Sequence, residues 1–410
     1  MGVTRRQFLT EAASAIAGTG LTWTIGKAGT SRVFIVRGAA KKVLILGAGM
    51  AGLVAGYELT QLGHDVTILE ARTRPGGRVH TLREPFSDGL YAEAGAARIP
   101  DQHDLTLKYV HLMGLPLEPM YPSRLSALRF DGGRREVPIE TFTEGLGQVL
   151  GPDLGGNPDR WSKIKGGTDL LPKALAAKLG NKIHYGAAVV RIEQDAKSAR
   201  VVFTEKSTKQ IFSADRILTT IPFSILKDIE LPETLSDRKK SIIKNIRYDA
   251  VSRVYLQTKN RAWEEKGLNG FALTDDVIEV WQPTWSQPGS RGILMTYARA
   301  GGQAERIERM SEQERIGSTV SLLDSMFAGS VRENFERGTS KCWSQDEWSR
   351  GAWAFVGPRD LISAQQPEGR IHFAGEQMSP FFSWMQGAIS EGLRAVKEID
   401  EAPATLAAAA

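Results

Sequence analysis

The 410-residue chain has a single cysteine, Cys342, so no intrachain disulfide can form and a thiolate metal site lacks ligands. Its six histidines are scattered, with no metal-ligand spacing among them. Excess charge is also scarce. Fifty-two basic against 47 acidic side chains leave +5, and the first 28 residues supply +2 of it, through Arg5, Arg6 and Lys27 against Glu11. The remainder is too slight to argue for nucleic acid, and no stretch interleaves basic and aromatic residues. No segment reads as a bilayer span: the weakly apolar stretch Ala12 to Ile25 is fourteen residues, too few to cross, so no stable membrane insertion is expected. The length exceeds that of one compact unit, and two domains are the natural expectation.

What is present is concentrated between Lys41 and Thr81. The short branched run Val43 to Leu46 predicts a buried parallel strand. Gly47, Gly49 and Gly52 follow in G-x-G-x-x-G spacing, then a helical pattern from Ala51 to about Leu62, then a strand from Asp65 to Leu69 that ends at Glu70. Gly47 permits the tight turn, Gly49 lets backbone N–H groups approach a pyrophosphate, and Gly52 lets the helix pack on the sheet. The helix N-terminus offers unpaired amides and a positive dipole end to a diphosphate. Glu70, 23 residues after Gly47, is placed to accept hydrogen bonds from an unphosphorylated ribose diol. Ala71, Arg72 and the run Arg74-Pro75-Gly76-Gly77-Arg78 add a second glycine-rich turn with three guanidiniums. A nicotinamide site does not call for that turn; a flavin dinucleotide does.

The E-A-R-x-R-x-G-G-R run resembles the FAD-binding N-terminus of the flavin-containing amine oxidase family, which includes L-amino-acid oxidases and monoamine oxidases. A second similarity lies near the C-terminus, where Gly369 to Glu376 reads as a strand and Ser383-Trp384-Met385-Gln386-Gly387-Ala388 opens a helix toward Ile399. The resemblance implies an α/β fold: a Rossmann-like FAD-binding domain of the glutathione-reductase-like type, interleaved with a mixed α+β substrate-binding cap. The FAD-binding domain is expected to take residues 40–100, 161–222 and 345–402, and the cap residues 101–160 and 223–344. FAD is expected to be bound non-covalently, because Ala352 stands where monoamine oxidases carry the linking cysteine.

The resemblance also implies a set of site residues. Gly95, Ala96, Ala97 and Arg98, in the family's G-x-x-R segment, pass the flavin ring. Val189 meets adenine through its backbone, Gly375 and Glu376 meet the ribityl and phosphate portion, and Trp384, Met385 and Ala388 bring a helix N-terminus to flavin N1 and O2. Arg98 and Tyr297 match residues that hold a substrate carboxylate in L-amino-acid oxidases; an ion pair or flavin contact for Arg98, and plain burial for Tyr297, are the alternatives. Arg253 replaces a lysine common in the family, so it either takes over that role or is structural. Trp353 and Trp384 match pocket-wall positions, with core packing as the alternative. No general base is assigned, since no histidine lies between His111 and His184.

The implied activity is FAD-dependent oxidative deamination of L-amino acids to 2-oxo acids, with release of ammonia and hydrogen peroxide. Its partners are the small-molecule substrate and O2, and a homodimer is left open. Three other functions share the motifs: a monoamine or polyamine oxidase, an amino-acid 2-monooxygenase, and a non-enzymatic FAD carrier. At the N-terminus, Thr4-Arg5-Arg6-Gln7-Phe8-Leu9 is of twin-arginine type, so residues 1–30 are expected to be a signal peptide for a folded, FAD-loaded bacterial protein bound for the periplasm or medium. A disordered basic tail is the other reading of this segment. Residues 101–160 are expected to hold a helix near Leu105 to Met113 followed by turns, and Glu305 to Met326 a single solvated helix.

Overall fold

The computed structural model describes residues 39–130, 133–150, 157–274, 278–299 and 302–403. The twin-arginine segment lies outside them. Five parallel strands form the first sheet, in the order Ile371–Phe373, Arg216–Thr219, Lys42–Leu46, Asp65–Glu70 and Ile183–Tyr185. Val43, Leu44, Ile45 and Leu46 are all fully buried, as an apolar run in a parallel sheet covered on both faces must be. The helices Met50–Gln61, Leu170–Leu179 and Met385–Glu401 pack together on one side of this sheet.

The second sheet has seven strands, in the order Phe335–Cys342, Val251–Thr258, Gly292–Arg299, Ile278–Trp281, Leu268–Thr274, Ser126–Phe130 and Arg134–Val137. It is antiparallel apart from the pairing of Leu268–Thr274 with Ser126–Phe130. Alternation sorts its side chains. Val254, Leu256, Val280 and Leu294 face the helix Glu312–Met326. Val251, Tyr255, Trp281, Met295 and Tyr297 turn the other way, onto a core shared with Ala92, Ala94 and Ala97. The register aligns Arg253, Tyr297 and Glu279 in one row across three strands, so the period of two carries all three to that same inner face.

Two expected elements differ. Glu305 to Met326 is two helices, Gln303–Glu308 and Glu312–Met326, because Ser311 and Glu314 form a reciprocal capping box that starts the second. Residues 101–160 hold more than turns: beyond the helix Asp104–Leu112 lie the strands Ser126–Phe130 and Arg134–Val137 and the helix Ile139–Leu150. The stretch Gly369 to Glu376 is a strand only over Ile371–Phe373, and Glu376 opens the short helical turn Glu376–Met378.

Close helix contact depends on Gly392. A Cβ there would lie 2.6 Å from the Ala51 carbonyl oxygen, so the C-terminal helix can touch the first helix only without a side chain at that point. Gly392→Val is expected to push the two helices apart at a cost of about 1–3 kcal/mol. The checks are a lower urea midpoint and weaker retention of flavin on gel filtration; an unchanged midpoint would show that the contact is dispensable.

Candidate active site

A cavity of about 780 Å³ lies between the two sheets. Of the residues singled out in the sequence, all but Gly52 line it, including Glu70, Arg78, Arg98, Val189, Arg253, Tyr297, Trp353, Glu376 and Trp384. Gly52 lies behind the wall, where a Cβ would stand 2.0 Å from the Gly47 carbonyl oxygen. Gly49, with no atom within 4 Å of a Cβ built on it, borders open space.

The cavity fits a dinucleotide with a flavin ring. The helices Met50–Gln61 and Met385–Glu401 both begin at it, at Gly49 and Trp384, and neither has a side-chain cap or an acidic residue in its first turn. Their unpaired amides suit a pyrophosphate and an anionic ring edge. Glu70 is held by the amides of Ala48 at 2.7 Å and Arg72 at 2.9 Å, leaving lone pairs for ribose hydroxyls. Glu376 accepts from Arg78 Nη1 at 2.7 Å and the Ser383 amide at 2.8 Å, while Arg78 also bonds the Ala352 carbonyl at 2.8 Å. Arg72 reaches across to Asp346 and Ser349, whose segment follows the second sheet. The buried Trp384 Nε1 has no partner among the described residues.

On the opposite wall of the cavity the inner face of the second sheet is cationic. Arg253 Nη1 donates to the carbonyls of Glu93 at 2.8 Å and Gly95 at 2.6 Å, so this guanidinium braces the segment bearing Gly95 to Arg98. Arg98 ion-pairs with Glu279, a fully buried carboxylate that also accepts from Trp281 Nε1 at 2.9 Å and lies 3.1 Å from Arg299. Arg98, Arg253 and Arg299 all stack on the Tyr297 ring, at 5.9, 4.4 and 5.8 Å. Burial alone would drive the Arg98 guanidinium down, but Glu279 outweighs it and holds it above the usual range. Burial likewise lifts Glu279, and the two arginines pull it below the carboxylate norm. The Arg98–Glu279 pair is thereby held in its charged form.

The tryptophans are placed differently from one another. Trp353 Nε1 is tied to Asp249 at 2.6 Å, and Trp384 is met edge-on by His103 at 4.8 Å and Trp161 at 5.7 Å. Glu279, Arg299, Trp281, Trp343 and Trp348 also line or support the cavity and were not singled out in the sequence. The signal for Glu279 was one carboxylate inside the otherwise apolar strand Ile278–Trp281. No histidine lines the cavity among the described residues. The His80 imidazole, pushed down to about 4 by burial and by Arg74, lies outside it.

Glu93, beneath the ring segment, accepts from the Thr168 amide and Thr81 hydroxyl at 2.8 Å each, and burial pushes its carboxyl up to about 7. A folded value above the unfolded one gives stability that is complete below about pH 4.5 and is lost as pH climbs through 7. Across that window Glu93→Gln is expected to gain about 3 kcal/mol relative to the wild type, read from urea melts at pH 4.5 and 8. Parallel pH profiles for the two proteins would count against a charged-state role for Glu93.

The comparisons with known proteins agree with this geometry. The sequence profile of the flavin containing amine oxidoreductases matches residues 50–152 and 138–400. YobN, a candidate L-amino-acid oxidase of Bacillus subtilis, is 30% identical over 88% of this chain and 95% of its own length. The flavin-dependent L-tryptophan oxidase RebO of Lentzea aerocolonigenes is 26% identical over 88% of this chain and 98% of its own. Among solved structures, putrescine oxidase with bound putrescine aligns at a TM-score of 0.74 and 19% identity, covering 88% of this chain and 99% of that one. Cyclohexylamine oxidase from Brevibacterium oxydans aligns at 0.75 and 19%, with the same coverage. With the profile spanning both sheets and the cavity built for FAD, the chain belongs to the flavin-containing amine oxidoreductase family.

Proposed function

We propose that the protein is an FAD-dependent L-amino-acid oxidase, converting L-amino acids to 2-oxo acids with release of ammonia and hydrogen peroxide. The observation that carries this function is the cluster around Tyr297, in which three guanidiniums lie over one ring while a single carboxylate, Glu279, pairs with two of them, Arg98 and Arg299. Such a wall favours a guest that brings its own carboxylate over a cationic amine. The names of the relatives from Bacillus and Lentzea point the same way.

FAD, when bound, supplies the two-electron acceptor for the C–N oxidation and passes the electrons to O2. The chain's own contribution is placement. Arg98 engages Glu279 through Nη2, its buried Nε has no hydrogen-bond partner among the described residues, and its guanidinium lines the cavity beside the Tyr297 ring, where it can meet an α-carboxylate. Arg253 fixes the backbone of Glu93 to Gly95, and hence the position of Arg98. Trp353 and Trp384 line the cavity and offer aromatic walls against which a substrate can be oriented. Oxidation proceeds from the neutral form of the substrate amine, which needs no strong base, and among the described residues no histidine lines the cavity to act as one.

One observation favours the amine-oxidase alternative: the charge of Arg98 is already matched by Glu279. A peroxide assay of L-amino acids against their decarboxylated amines decides between the two. Arg98→Ala is expected to lower kcat/KM for the amino acids about a hundredfold, ~3 kcal/mol, with no matching loss on the amines. Preference of the wild type for amines, or equal losses on both substrate sets, would sink the amino-acid reading.

We also infer that residues 1–30, with Arg5 and Arg6 in a twin-arginine pattern, direct export of the folded protein from a bacterial cytoplasm. Changing both arginines to lysine is expected to leave the flavoprotein in the cytoplasm at full length. Unaltered distribution between cytoplasmic and exported fractions would refute it.

A further inference from the structure

Arg299 is the least occupied cation of the cavity wall. It stands two residues beyond Tyr297 on the strand Gly292–Arg299, opposite Val251, and its side chain is 13% exposed. Its Nη2 lies 3.1 Å from Glu279 Oε1 without the alignment of a hydrogen bond, and its Nε donates to nothing among the described residues. Glu279 meanwhile uses its other oxygen, Oε2, for Arg98 and for Trp281 Nε1. One fully buried carboxylate thus stands between two guanidiniums, each of which lines the cavity and each of which retains unpaired donors. Buried donors left unpaired are costly, and a guest with two acceptor ends would relieve that cost.

We propose that Arg299 holds a second carboxylate, so that the substrate class is L-amino acids with an acidic side chain, the α-carboxylate at Arg98 and the side-chain carboxylate at Arg299. This rests on the L-amino-acid reading above. Charge supports it. Arg98, Arg253 and Arg299 against Glu279 leave two positive charges around Tyr297, of which a monocarboxylate offsets one and a dicarboxylate both. Asp249, which also lines the cavity, is engaged by Trp353 Nε1 and does not pair with Arg299. The aromatic faces beside Glu279 are already taken: the guanidiniums of Arg98 and Arg253 cover the Trp281 ring, at 4.3 and 5.2 Å, and they occupy Tyr297 as well.

The test uses two unreactive acids of equal chain length, glutarate and pentanoate, titrated into the FAD-loaded protein and followed by the perturbation of its visible flavin spectrum. Glutarate is expected to bind at least about tenfold more tightly, as an added charge-assisted pair predicts, and that ratio is expected to fall to about one in Arg299→Gln. A wild-type ratio near one overturns the second-carboxylate site without any variant. A ratio that survives Arg299→Gln overturns the assignment to Arg299. Binding of pentylamine with neither acid bound would instead overturn the amino-acid reading on which the proposal stands.

Discussion

The link on which the rest of the site depends is the grip of Arg253 on the carbonyls of Glu93 and Gly95. The segment Ala92 to Arg98 passes between the two sheets, and the second sheet holds it from above three times. Arg253 takes two carbonyls, the Tyr255 hydroxyl bonds the Glu93 carbonyl at 2.8 Å, and Trp343 Nε1 bonds that of Ala94 at 2.8 Å. From below, Thr168 and Thr81 hold the Glu93 side chain. Gly95 is needed at the centre of this brace, since a Cβ there would fall 1.7 Å from the Arg78 carbonyl oxygen. Backbone carbonyls bonded by a buried cation are strongly held and costly to release, so the cofactor wall and the substrate wall keep one spacing.

That spacing sets the electrostatics. Two uncapped helix N-termini approach the cavity from the side of the first sheet, and a cationic row approaches from the other. Glu279 prevents this from becoming plain repulsion: a carboxylate with no exposure sits between Arg98 and Arg299 and accepts from Trp281 as well. The arrangement resembles a buried triad, in which removal of the central charge would leave two desolvated cations facing each other. The wall around Tyr297 and the two helix N-termini are therefore the anion-seeking parts of the cavity.

How much of this could be read from the sequence follows from distance along the chain. Gly47, Gly49, Glu70 and Arg78 declare themselves because a tight turn, a helix start and a strand end lie within a few residues of one another, and local geometry demands those residue types. Trp384 and Glu376 were legible through family resemblance. Glu279 and Arg299 were not, because their meaning depends on strand register: only the pairing of Arg253 with Tyr297, and of Tyr297 with Glu279, brings the row to one face. Arg98 was legible as a cavity residue, while its partner 181 positions away was not. The split of Glu305 to Met326 was written in Ser311 and Glu314, a local signal hidden by the charge run around it.

The first sheet has its central strand at residues 42–46 and an edge strand at 371–373, so the sheet that carries the dinucleotide turn is completed only by residues near the other terminus. During synthesis the glycine turn leaves the ribosome long before Arg216–Thr219 and Ile371–Phe373 exist to flank it. Non-local pairing of this kind is slow and leaves strand edges open while it is incomplete. The seat of the prosthetic group is therefore assembled from both ends of the chain, the amino-terminal glycine turn and the carboxyl-terminal strand and helix that line the same cavity.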